Sequence, residues 1–129
     1  MSEIFVVDDD PSVGAALSII LRAAGFEITN FVEGDTFLTA ARSRTPECIL
    51  LDVHLSNCSG LELLRQLDAR RYPAPILVIS GSGDIPTAVD DIRNGALDFI
   101  EKPFDAAALV TRVRGVSALG KTAIARMTS

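Results

Sequence analysis

Short apolar runs alternate with helix-period patterns at regular spacing along the chain. Ile4-Phe5-Val6-Val7 reads as a buried strand. Asp10-Pro11 follows as an N-cap and a proline at the first helical position. Val13, Leu17, Ile20, Leu21 and Ala24 then share one helix face, and Gly25 ends that helix. Glu27 to Phe31 is a weaker strand, and residues 35–44 form a second helix. Cys48-Ile49-Leu50-Leu51 is a third strand, apolar on both faces. Leu61, Leu64 and Leu67 mark a third helix, and Pro75 to Ile79 a fourth strand. Ile85, Ala88, Val89 and Ile92 mark a fourth helix over about residues 84–95, closed by Gly95. Leu97 to Ile100 is a fifth strand, and Leu109, Val110, Val113 and Val116 mark a fifth helix.

Five successive strand–helix units imply an α/β fold, a doubly wound parallel sheet with helices on both faces. The expected strand order is 2-1-3-4-5, the flavodoxin-like arrangement. A length of 129 residues suits one domain. Residues 117–129 are less patterned; they either extend the last helix or begin a linker, so the domain is expected over 1–118 and an extension or linker stub over 119–129. No apolar run approaches about 18 residues, so no membrane span is expected. Met-Ser-Glu-Ile runs at once into a strand and leaves no signal peptide, which points to the cytoplasm. Cys48 and Cys58 fit neither a disulfide framework nor a metal spacing and read as idle thiols. A net charge of −5 argues against direct nucleic-acid binding, which needs a basic face.

In such a sheet, ligands bind beyond the carboxyl ends of the strands, where the strand order reverses. The first and third strands flank that point, and they end in Asp8-Asp9-Asp10 and Asp52. The fourth ends in Ser80, and Lys102-Pro103 follows the fifth. Carboxylates crowded to ~4 Å repel by about 4 kcal/mol per pair at an effective dielectric near 20. A hard divalent cation relieves that repulsion, and oxygen ligands with few protein contacts suit Mg²⁺. Lys102 offers a point charge and Ser80 a hydroxyl to the same oxygens. Metal, ammonium and hydroxyl around one nucleophilic carboxylate make a phosphoryl-transfer site.

The chain resembles CheY-like receiver domains of response regulators over roughly residues 3–118. The matching elements are Val-Val-Asp8-Asp9-Asp10, Leu-Leu-Asp52, Ser59-Gly60-Leu-Glu-Leu-Leu, Ile79-Ser80-Gly81, and Asp98-Phe99-Ile100-Glu101-Lys102-Pro103-Phe104. Each is weak alone; all five in order are specific. Gly83-Asp84-Ile85-Pro86-Thr87-Ala88-Val89, running on to Glu-Lys-Pro-Phe, is most similar to receivers of the FixJ and NtrC kinds. The resemblance implies that Asp52 accepts a phosphoryl group from a histidine kinase. It implies Mg²⁺ held by Asp8, Asp9, Asp52 and the backbone carbonyl of His54. It implies that Ser80 and Lys102 bind the phosphoryl oxygens, that Ser80 and Phe99 form the conformational switch, and that the Lys102-Pro103 bond is cis. The only self-directed chemistry implied is phosphorylation from small donors and dephosphorylation, so no enzyme acting on another substrate is expected.

Two departures stand out. Ser56 takes a place where many receivers carry proline, and Ser80 replaces the commoner threonine. His54, the single histidine, sits where such domains tune phosphoryl lifetime. A metal-dependent aspartyl phosphatase of the haloacid-dehalogenase kind is the enzyme alternative, since Asp8-x-Asp10 meets its opening motif. The chain is short for that fold, and Pro11-Ser12 fits its continuation poorly. A flavodoxin-type FMN module would need a phosphate loop where this chain carries three acids. The fourth helix should bury Ile85, Ala88, Val89 and Ile92. Thr87, Asp91, Arg93 and Asn94 should then be free on the fourth-helix/fifth-strand face, a candidate surface for a homodimer or another partner.

Overall fold

Alternation along each strand sends successive side chains to opposite faces of one sheet, and both faces are apolar. The computed structural model describes residues 2–53, 55, 59–81 and 85–128, with side chains described for all of these except 85 and 118–128. The strands are β1 (Glu3–Val7), β2 (Glu27–Phe31), β3 (Cys48–Asp52), β4 (Ile76–Ser80) and β5 (Asp98–Glu101). The helices are α1 (Pro11–Ala23), α2 (Gly34–Ser43), α3 (Gly60–Leu67), α4 (Ile85–Arg93) and α5 (Ala106–Thr128). All strands pair in parallel in the order β2-β1-β3-β4-β5, as the sequence predicts. Element ends differ from the sequence reading by one or two residues, the usual fraying of helix and strand termini.

Phe5, Val7, Ile49, Leu51, Ile76 and Val78 pack on one side with Phe37, Leu38, Leu63, Leu64 and Ala88. Ile4, Val6, Cys48, Leu50, Leu77 and Ile79 pack on the other with Leu17, Leu21, Leu109 and Val113. Each fully buried Leu, Ile or Phe contributes roughly 1.5–3 kcal/mol. Burial on both sides therefore fixes which way every strand faces, because a one-residue slip would turn each side chain to the wrong layer.

Local signals start the helices. Asp10 is the N-cap of α1, accepting from Ser12 N at 3.0 Å, with Pro11 next. Ser59 caps α3, accepting from Glu62 N at 3.1 Å. Beyond α4 the chain turns at Gly95, whose φ is +117°. A Cβ there would lie 2.7 Å from both Ala69 Cβ and Arg70 N. At Gly25, past α1, φ is +99° with nothing near a Cβ. The backbone of α5 is helical through to Thr128. No helix among the described residues is long and apolar enough to cross a membrane.

The faces of α4 correct the sequence reading at two residues. Val89 is 36% exposed, and Asp91 is fully buried. Ala88, Asp91 and Ile92 fall at i, i+3 and i+4 on the face that meets the sheet and α3, which leaves Val89 at the rim. Thr87 and Asn94 are partly buried and Arg93 is exposed.

The two glycine turns separate strain from clash. Gly95→Ala should destabilise the fold by about 2 kcal/mol or more, since a strained φ and an overpacked contact add. Gly25→Ala should cost about 1 kcal/mol, from the φ alone. Urea midpoints at a constant m-value check this, and equal losses at the two positions would contradict it.

Candidate functional site at the carboxyl ends of the strands

Register brings the chemistry together. Val7 lies opposite Leu51, so Asp8 follows one strand where Asp52 ends the next. Asp52 lies opposite Ile79, and Ser80 opposite Glu101, which places Ser80 and Lys102 along the same rim. Carboxylate oxygens of Asp8, Asp9 and Asp52 all fall within 4.8 Å of one another. Lys102 Nζ stands 3.9 Å from Asp8 Oδ2 and 3.9 Å from Asp52 Oδ1. Lys102 N donates to Ser80 O at 2.7 Å, which ties the lysine to the end of β4. The Lys102-Pro103 bond is cis, as the resemblance implies.

The charges do not balance. Three carboxylates against one ammonium leave a formal −2 in the crevice. Asp8 is 4% exposed, and its Oδ1 accepts from Asp10 N at 2.9 Å. Its Oδ2 is buried and accepts no hydrogen bond among the described residues. Burial pushes the Asp8 carboxyl above its usual range and neighbouring Asp9 and Asp10 add to this, while the Asp10 amide and Lys102 pull the other way. Asp10 moves oppositely, held low by its hydrogen bonds to Ser12, so it serves the helix cap and not the crevice.

Ser80 is fully buried, and its Oγ has no hydrogen-bond partner among the described residues. A buried hydroxyl in that state costs about 1–3 kcal/mol unless a ligand satisfies it. The orphaned Asp8 oxygen, the orphaned Ser80 hydroxyl and the −2 imbalance fit a divalent cation and an anionic group bound side by side.

Phe99 is partly buried and packs against the cluster that contains Ala88 and Ala96. Arg112 holds this edge, reaching Asp98 Oδ2 at 2.7 Å and Phe99 O at 3.3 Å. His54, Ser56 and Cys58 lie outside the described residues. Cys48 is buried in the sheet, with its thiol pushed up to about 12 by burial, which makes it inert. Residue type alone put Asp91 on the free face. Its place three residues after Ala88 and one before Ile92, within the apolar stripe, was the signal that it points inward.

A stability consequence follows for Asp8. Its folded-state pKa lies above the unfolded one, so the native protein binds the extra proton between the two values. The cost of the charge is absent below the unfolded value and complete above the folded one. Asp8→Asn should therefore raise the thermal midpoint in metal-free buffer at neutral pH, by about 1 kcal/mol or roughly 2–8 °C. The gain should vanish as pH falls below the ordinary carboxylate range. Calorimetry at the two pH values checks this; a lower midpoint at neutral pH would contradict it.

Similarity to known proteins agrees with this geometry. The profile of the response regulator receiver domain matches residues 4–114. The transcriptional regulatory protein FixJ of Azorhizobium caulinodans is 40% identical over 120 residues, covering 93% of this chain and 56% of that protein. The response regulator protein TodT of Pseudomonas putida is 40% identical over 113 residues, covering 88% and 50%. The chain thus spans about half the length of these curated relatives. The crystal structure of the receiver domain of NtrX from Brucella abortus superposes with a TM-score of 0.83 at 37% identity, covering 89% of this chain and 98% of that one. Neither the phosphatase nor the FMN-module alternative gains support. An acidic crevice at the sheet's switch point and a family match over most of the chain lead to one assignment: this chain belongs to the response regulator receiver domain family of two-component signal transduction.

Proposed function

We propose that Asp52 is the phosphoacceptor of this receiver and that a histidine kinase is its donor. The observation that carries the reading is Lys102 Nζ at 3.9 Å from the carboxylates of both Asp8 and Asp52, within a crevice of formal charge −2. Asp52 is the better nucleophile on accessibility. Its side chain is 13% exposed, against 2% for Asp8. Asp8, Asp9 and Asp52, with the backbone carbonyl of His54, would hold Mg²⁺. Bound there, the ion supplies charge neutralisation for the incoming phosphoryl oxygens.

In the reaction, a carboxylate oxygen of Asp52 forms the new bond to phosphorus. The bond from phosphorus to the donor breaks, whether that donor atom is a histidine nitrogen of the kinase or an oxygen of acetyl phosphate. Lys102 neutralises one phosphoryl oxygen, and the Ser80 hydroxyl, which has no partner among the described residues, donates to another. Ser80 moving toward that oxygen would free space beside Phe99, which packs against the core under α4. The face of α4 and β5 would then read out the state as a homodimer or partner surface, with Val89 and Arg93 on it and Asp91 beneath it. The domain spans 1–118, with residues 119–129 an extension of the last helix or a linker stub, in a cytoplasmic setting that matches a kinase donor.

Acetyl phosphate with Mg²⁺ should add one phosphoryl group to the wild-type chain and none to Asp52→Asn, and chelation should stop the reaction. Intact-mass spectrometry measures this; stoichiometric labelling of Asp52→Asn would sink the assignment. Hydrogen exchange with beryllofluoride as the stable mimic should change most, outside the crevice, on α4 and β5. Largest changes on α1 or α2 would place the output surface elsewhere.

A further inference from the structure

Asp91 is a carboxylate with no exposure, on a helix that carries none of the groups assigned above to phosphoryl transfer. Burying a charge is costly unless something holds it, and its surroundings show where it is aimed. Its Oδ2 lies 3.4 Å from the point a Cβ on Gly60 would occupy. That same point is 3.1 Å from Asp52 O and 3.3 Å from Val53 O. The end of β3, the start of α3 and the middle of α4 therefore close on one spot, where a Cβ would be tightly crowded.

The end of β3 and the start of α3 are fastened together at this spot. Gly60 N donates to Val53 O at 3.2 Å, and Val53 N donates to Ile79 O at 3.1 Å. Ser59 Oγ takes the Glu62 amide, so the first turn of α3 is capped from its own side. Asp91 approaches the same end from α4. A carboxylate there is favoured by the positive end of the helix. The start of α3 is thereby set between the end of β3 and the middle of α4.

We propose that Asp91 is a positioning residue for phosphoryl transfer: its buried carboxylate, set against Gly60, holds the start of α3 against the end of β3 and makes α4 part of the acceptor's support. The inference rests on the assignment of Asp52 as acceptor. It gives α4 a second connection to the crevice, through β3 and α3, apart from the one through Ser80 and Phe99. Orientation of reacting groups is the main catalytic resource of such a site, so loosening that junction slows the reaction without removing any group that touches phosphate.

The test measures the phosphorylation rate constant with acetyl phosphate at saturating Mg²⁺, alongside the thermal midpoint of each variant. Asp91→Ala should react about tenfold more slowly than wild type, while Asp91→Asn, which keeps an oxygen at the same place, should stay within about threefold. Asp90→Asn, on the exposed side of α4 beside Arg93, should react as wild type does. A folded Asp91→Ala that reacts within twofold of wild type overturns the proposal, and so does equal slowing by Asp91→Ala and Asp91→Asn. If Asp91→Ala does not melt cooperatively, Asp91→Ser, too short to span the same gap, takes its place under the same criteria. A wild-type chain that takes no phosphoryl group defeats the Asp52 assignment and this inference together. Normal labelling of both wild type and Asp91→Ala defeats this inference alone.

Discussion

Like-charge crowding at the carboxyl ends of β1 and β3 is the constraint on which the rest depends. Two adjacent strands deliver Asp8, Asp9 and Asp52 to within 4.8 Å of each other, and one ammonium answers three carboxylates. At ~4 Å two like charges repel by about 4 kcal/mol at an effective dielectric near 20, a cost that Lys102 and solvent at the partly exposed Asp9 and Asp52 reduce. The sheet holds them there because its strands are buried on both faces and cannot slip. The apolar layers thus sustain an electrostatic strain that Lys102 offsets in part and a bound cation would relieve further. Stability is given up at the place where function needs it.

That arrangement also explains how the site is wired to the rest of the fold. Ser80 and Lys102 are joined through the backbone at 2.7 Å, so the hydroxyl and the ammonium move with the ends of β4 and β5 together. Phe99 lies on β5, which leads directly into that lysine, and packs on the layer that carries Ala88 of α4. Arg112 secures the same edge to α5 through Asp98 and the Phe99 carbonyl. A change in charge at Asp52 therefore meets rigid connections toward α4, β5 and α5.

Much of this was legible in the sequence. Continuous apolar strands gave the parallel sheet, and the strand order placed four polar positions at one crevice. Asp10-Pro11 and the two turn glycines, Gly25 and Gly95, marked helix ends through caps and positive φ, which residue type alone reveals. The orientation of α4 was less legible. Val89 and Asp91 exchanged their expected places because polarity was weighed above helical spacing. The spacing of Asp91 within the apolar stripe carried its burial, but the near-contact at position 60 leaves no local signal. Residue pattern reports what a side chain prefers, and position 60 is set by what surrounds it.

The most direct measurement is the thermal midpoint of the wild-type chain against Mg²⁺ concentration at neutral pH, with sodium chloride at matched ionic strength as reference. A cation that binds the folded crevice and not the unfolded chain stabilises by mass action, so the midpoint should climb with the logarithm of Mg²⁺ above the dissociation constant. It should climb far less in Asp8→Asn, which lacks one of the three charges. A midpoint that follows ionic strength alone, equally in both proteins, would contradict the account of the crevice as a cation site.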